Sequence, residues 1–218
     1  MSWWTTPEWD AYELAYGAPG QRVRELENAL WDTRVIDLAQ PVNELYRVIR
    51  SSYRSLISQA ARNKAYVWEH ATPENHRPEC MATSCRELHR RKSGRETRPA
   101  STWVMMDEWI AQKKAICIMV YEPGGEGLIG YAYFVYYGNW AYYFSGVTLT
   151  RNISHALIWI AMKELKNRVQ WFEIGWMDRP GDDQKDKNIA FFKAGFGGAL
   201  MPAAQAPELW KTPGVNRA

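Results

Sequence analysis

Apolar residues recur at helical spacing through Val42, Leu45, Val48, Ile49, Tyr53, Leu56 and Ile57, which predicts one helix opened by Pro41 and running to about Ala61. The opposite face carries Arg47, Arg50 and Arg54, three and four residues apart, so the helix is amphipathic with a guanidinium stripe. Upstream, Gln21–Trp31 reads as a short helix. Downstream, Lys64–His70 reads as a strand, Thr72-Pro73 opens a helix to about Lys92 that Gly94 stops, and Ser101 starts another through Lys113. The pattern then changes to strands. Ala115–Tyr121, Leu128–Tyr137 and Trp140–Thr148 are separated by Gly124-Gly125 and by Gly138-Asn139. Glycine first in a two-residue loop fits a type II′ hairpin, which sets Tyr133 against Phe144 and Val135 against Tyr142. Asn152 or Ser154 can cap a helix that is apolar on two sides, through Ile153, Leu157, Ile160 and Leu165 and through Ala156, Trp159 and Met162. A strand at Trp171–Trp176, an acidic loop, a helix Asn188–Ala194 capped by Asp186, and a strand near Gly198–Met201 complete the chain.

A meander, a buried helix packed across it and a further strand make an α/β (α+β) domain, with a mixed, mostly antiparallel central sheet flanked by helices. Residues 41–218 form that single domain, and residues 1–40 are an aromatic-rich extension with a short helix that packs on it. With 218 residues, 46% of them hydrophobic, and with 12 Trp and 12 Tyr, the composition excludes a disordered or collagenous chain. The longest apolar runs, Ala115–Tyr121 and Ala156–Met162, fall short of the roughly 18–20 residues of a membrane span. Met1–Trp9 has no secretory pattern, and three cysteines favour thiols in a reducing compartment, so a cytoplasmic location is expected. Net charge is only +3, but Glu44 to Arg98 holds 12 Lys/Arg against 6 Asp/Glu, which admits a polyanionic or phosphorylated partner or a merely solvated basic surface.

The run EIGWMDRPGDDQKDKNIAFFKAGFGGAL resembles the C-terminal signature of the Fem-type peptidyl and aminoacyl transferases, a branch of the GNAT acyltransferase superfamily, here in single-domain form. The matching positions are Glu173, Gly175, Phe192, Lys193, Phe196, Gly197 and Gly198. SSYRSLISQA (Ser51–Ala60), LHRRKSGRETRPASTW (Leu88–Trp103) and SHALIWIAMKELK (Ser154–Lys166) extend the likeness over Val42 to Leu200. The resemblance implies a GNAT-like fold, an active-site role for Lys193, and transfer from aminoacyl-tRNA. One departure from the CoA-using members bears on the donor. Between the last meander strand and the central helix they place glycines whose backbone N–H groups receive a pyrophosphate, whereas Thr148–Ser154 contains none.

Acyl transfer to an amine needs an acceptor for the amine's proton and donors for the developing oxyanion. His155, in the first turn of the central helix, is the first candidate proton acceptor, and a hydrogen-bonded core histidine is the alternative. Glu173 is either a buried functional carboxylate or a solvated strand residue. Lys193 projects from a short helix and acts at the reacting centre or only offsets the helix dipole. Arg95 and Arg98, with His89 beside them and Arg54 as a companion, read as an anion clamp or as solvated surface. Tyr143 and Arg151 complete the expected substrate-binding set. His76, Cys80, Cys85 and His89 are metal-capable, but a continuous helix sets Cys80 and Cys85 about 140° apart around its axis, so buried thiols and no metal are expected.

The expected activity is transfer of an acyl or aminoacyl group onto an amine of a sugar- or peptide-containing acceptor of the cell-envelope or surface-glycan type. No tightly bound cofactor is expected, the donor being aminoacyl-tRNA or acyl-CoA. Two alternatives stand beside it: an acetyl-CoA-dependent N-acetyltransferase with an atypical pyrophosphate loop, and a non-catalytic binding module on the same fold.

Overall fold

The computed structural model describes residues 32–72, 74–75, 79–125, 127–150, 152–177 and 184–202. The helix expected at Gln21–Trp31, the aromatic segment before it, His76, Arg151 and most of the acidic loop lie outside these. Seven strands form one mixed sheet in the order β2-β3-β4-β5-β6-β1-β7. The strands are β1 (Asp32–Asp37), β2 (Val67–Ala71), β3 (Ala115–Tyr121), β4 (Leu128–Tyr137), β5 (Trp140–Thr148), β6 (Trp171–Trp176) and β7 (Ala199–Pro202). The helices are α1 (Val42–Val48), α2 (Ser51–Arg62), α3 (Arg86–Ser93), α4 (Ala100–Ala111), α5 (Ile153–Leu165) and α6 (Gln184–Ala194). Among the described residues, no helix is long and apolar enough to cross a membrane.

The meander and the central helix follow the hydrophobic pattern. Gly138 carries φ +54° as a type II′ turn requires, and the Tyr133 and Phe144 rings meet with centroids 5.9 Å apart. Strand β3 is buried along its whole length, and β5 pairs parallel with β6, which makes the sheet mixed.

Four elements differ from expectation, the first three for a tertiary reason. Strand β1 falls inside the stretch set apart as an extension, and it pairs antiparallel with β6 on one side and β7 on the other. The helix expected from Pro41 to Ala61 is two helices, because Ile49 is extended (ψ 136°) and the Arg50 N–H donates to Gly195 O at 2.8 Å instead of to its own helix. The helix expected from Thr72 begins only with a π-helical turn at Met81–Cys85, which runs into α3. There the Asp107 carboxylate accepts the N–H groups of Met81 and Ala82, both at 2.9 Å, and supplies the cap from 25 residues away. Helix α6 starts at Gln184, so Asp186 lies in its first turn and is not its cap.

The chain packs as two compact units. The described residues up to Ser51, Tyr137–Tyr142 and those from Glu164 onward form the first; Ser52–Tyr136 and Tyr143–Lys163 form the second.

Candidate functional site

In the first unit, Glu173 occupies the middle of β6, a strand buried on both faces. The pairing of β6 with β1 slips by one residue opposite Arg34 and Val35, and Gly175 at the slip has φ +97°. Such a bulge re-aims the side chains around it, and glycine meets its backbone requirement at least cost. Thr33 of β1, itself buried, donates its hydroxyl hydrogen to Glu173 Oε1 at 2.7 Å. Burial pushes the carboxyl up to about 7, against the pull of the Thr33 hydrogen bond, the Lys193 charge and the Trp140 indole.

Lys193 comes from the last turn of α6, which Phe196 anchors by full burial and by an edge-to-face contact with Phe192. Its side chain is only 6% exposed. The Nζ donates to Trp176 O at 3.2 Å and sits 4.3 Å above the Trp176 ring, a cation–π arrangement. Burial lowers its pKa to about 8, and the charges of Glu173 and Asp186 act in the opposite direction. A Cβ at Gly175 would stand 3.0 Å from Lys193 Nζ and 3.3 Å from the Tyr142 hydroxyl, so a side chain there would crowd both groups and glycine lets them approach the strand closely. Burial thus draws the two groups together toward neutral pH, the carboxyl from below and the ammonium from above.

In the second unit, Arg98 precedes α4 at the end of a loop whose first turn is tied by Ser93, whose single hydroxyl hydrogen has Arg95 O at 2.6 Å and His89 O at 2.8 Å within reach. One Arg98 nitrogen donates to Ser145 Oγ at 2.7 Å, and the guanidinium lies 5.4 Å from the centres of both the Trp103 and Phe144 rings. Ser145 also bonds the Tyr131 hydroxyl at 3.1 Å. Among the described residues no carboxylate pairs with Arg98, which leaves donors of its planar fork for an anion. His89 reaches Thr97 Oγ1 through Nδ1 at 2.9 Å, and burial followed by repulsion from Arg98 holds its pKa down to about 4, so it is neutral. Tyr143 is stacked on Phe134 and is pushed up to about 12 by burial, with Arg98 opposing, so it stays a phenol.

The expected site residues thus separate. Glu173 and Lys193 share one centre, while His89 and Arg98 share another, whose charge reaches Tyr143. Arg95 is exposed, and Arg54 is half-buried on α2. His155 has a core setting on α5, 9% exposed, with its ring edge-to-face with Tyr53 at 4.2 Å. Cys80, Cys85 and Cys117 are buried thiols, and burial raises the pKa of Cys80 and of Cys117. Sequence reasoning missed Thr33, for which no local signal exists, and Ser145 beside Tyr131, which the hairpin register does not contain, since it sets Tyr131 opposite Gly146.

No family profile matches the chain, and no curated protein matches it by sequence. Solved structures do. FemX superposes with a TM-score of 0.66 at 12% identity, over 82% of this chain and 61% of its own. The fold is Fem-like. The C-terminal domain of a protein assigned as a lysylphosphatidylglycerol synthetase of Agrobacterium fabrum superposes with a TM-score of 0.54 at 13% identity, over 84% of this chain and 66% of that one. L-PGS from Bacillus licheniformis gives 0.54 and 14%, over 78% and 57%. The chain therefore spans about three-fifths of the length of the Fem-like proteins it matches.

Proposed function

We propose that this chain is an acyltransferase that takes an aminoacyl group from aminoacyl-tRNA and places it on an amine of a sugar- or peptide-containing acceptor. The observation that carries the reading is the buried Glu173–Lys193 centre, in which Thr33 bonds the carboxylate and Gly175 lets the lysine approach the strand closely. Glu173, ionised above about pH 7, accepts the proton that the attacking amine loses, and the Lys193 ammonium stabilises the oxyanion that develops on the acyl carbonyl. A C–N bond forms, the ester C–O bond breaks, and the proton held by Glu173 passes to the departing 3′ oxygen of the tRNA. We prefer Glu173 to His155 as the proton acceptor because it shares its surroundings with Lys193, a buried cation that can stabilise an oxyanion. Within the second unit, Arg98 and the neutral His89 form a site suited to an anionic group.

Acyl-CoA fits the chain poorly as donor. The segment after β5 has no glycine, the Leu149 N–H is already spent on Ile129 O at 2.8 Å, and the Asn152 side chain donates to Gln59. Radiolabelled aminoacyl-tRNA and acetyl-CoA offered side by side with an amine acceptor test the proposal. Label is expected to leave the tRNA only, and calorimetry is expected to find acetyl-CoA binding weaker than about 1 μM, roughly −8 kcal/mol. Transfer from acetyl-CoA with micromolar binding makes the chain an N-acetyltransferase, and transfer from neither donor favours the binding module.

A further inference from the structure

Thr33 carries no chemistry that acyl transfer uses directly, yet it is 1% exposed and its one hydroxyl is committed to a carboxylate 140 residues away in sequence. A buried threonine in a strand can satisfy its hydroxyl on nearby backbone at no cost in specificity, so its placement on Glu173 Oε1 calls for an explanation in terms of that carboxylate. The strand slip at Arg34 and Val35 turns the β6 backbone just past Glu173, so ladder geometry alone does not fix where the carboxylate points. Thr33 fixes one of its oxygens.

We propose that Thr33 is a positioning residue for the Glu173–Lys193 centre: its hydrogen bond to Oε1 fixes the Glu173 carboxylate, and the fixed carboxylate in turn sustains the charge on Lys193. The inference rests on the acyl-transfer reading of this centre and deepens it. A hydroxyl that donates to a carboxylate stabilises the ionised form, so Thr33 opposes the burial that would otherwise keep Glu173 protonated at neutral pH. The charged or titratable groups acting there are Lys193 from α6, with Asp186 behind it on the same helix; Tyr142 of β5 lies directly across from Glu173 in the strand register. Loss of the Thr33 hydroxyl raises the Glu173 midpoint and, with Glu173 neutral, removes the partner that keeps Lys193 protonated.

The test is a carbon-13 NMR titration of the Glu173 carboxyl in the full chain, assigned with Glu173→Gln, on wild type, Thr33→Val and Thr33→Ser. Valine keeps the shape and the strand preference while removing the donor, and serine keeps the donor. The midpoint is expected to rise by about half a unit or more in Thr33→Val and to stay at the wild-type value in Thr33→Ser, with the acid limb of kcat/KM moving by the same amount. Should Thr33→Val not fold, Thr33→Ala removes the same donor and is read identically. An unmoved midpoint in the valine or alanine variant overturns the proposal. The titration needs no turnover, so it is separable from the acyl-transfer reading, which full activity in Glu173→Gln would overturn by itself.

Discussion

The Glu173–Lys193 centre of the first unit and the Arg98 cluster of the second each hold a cation, buried at Lys193 and half-buried at Arg98, and they use it in opposite ways. Lys193 is buried with a carboxylate that is itself short of solvation, so burial draws the two pKa values toward one another, to about 8 and about 7. Arg98 is surrounded by neutral groups: the Trp103 and Phe144 rings, the Ser145 hydroxyl, and a His89 whose proton it repels. An arginine does not give up its proton under such pressure, whereas a lysine does. On the proposed function, the first region would move protons and the second would present a fixed charge. The first should govern turnover and the second capture of substrate, a division that substitution can break.

The largest effect is expected from Lys193→Met, which keeps the apolar stem over Trp176 and removes the charge. Loss of a preorganised electrostatic stabiliser typically costs about 10²–10³ in kcat. Stability at pH 6 should change little, because Glu173 is then largely protonated and is not left as an unpaired buried charge. Steady-state kinetics with parallel melting curves decide it, and full turnover would return Lys193 to a role in offsetting the helix dipole.

Arg98→Ala should be felt next, and mainly in KM. A charge-assisted hydrogen bond to a substrate anion is worth about 1.5–3 kcal/mol, which is roughly 10- to 150-fold in kcat/KM. The same change at Arg95 should cost less than about 1 kcal/mol, since its side chain is exposed and screened. Equal losses at the two arginines would mean that the aromatic box around Arg98 does not set the cation apart. A drop in kcat with KM unchanged would erase the division between the two regions.

The sequence made most of the sheet legible and left one interior strand, β1, hidden. Strands β3 to β5 carry their own signals, because continuous apolar or aromatic runs are interrupted by glycine turns of defined type. Strand β1 is a six-residue segment, Asp32–Asp37, with polar or charged residues at Asp32, Thr33, Arg34 and Asp37, and its burial comes from partners 130 or more residues away. The break at Ile49 and the delayed start before α3 have the same origin. Gly195 O and the Asp107 carboxylate take backbone N–H groups that local periodicity would assign to a helix. At the candidate site, Glu173 and Lys193 were readable as residues through the motif they complete. Their mutual setting was not, because a bulge on β6 and a hydroxyl on β1 create it, and neither leaves a trace in the spacing of β6 itself.

The most direct measurement of the account is the pH dependence of kcat/KM for aminoacyl transfer, taken from about pH 5.5 to about 9.5 on wild type and Lys193→Met. Glu173 acts ionised, and its folded-state pKa is raised to about 7, so the rate should climb as pH rises through that value. Lys193 acts protonated, with its pKa lowered to about 8, so the rate should fall as pH passes it. A bell with limbs near those two values is predicted, with the basic limb abolished in Lys193→Met. A profile flat across this range in wild type, or a basic limb that survives in the variant, would contradict the account.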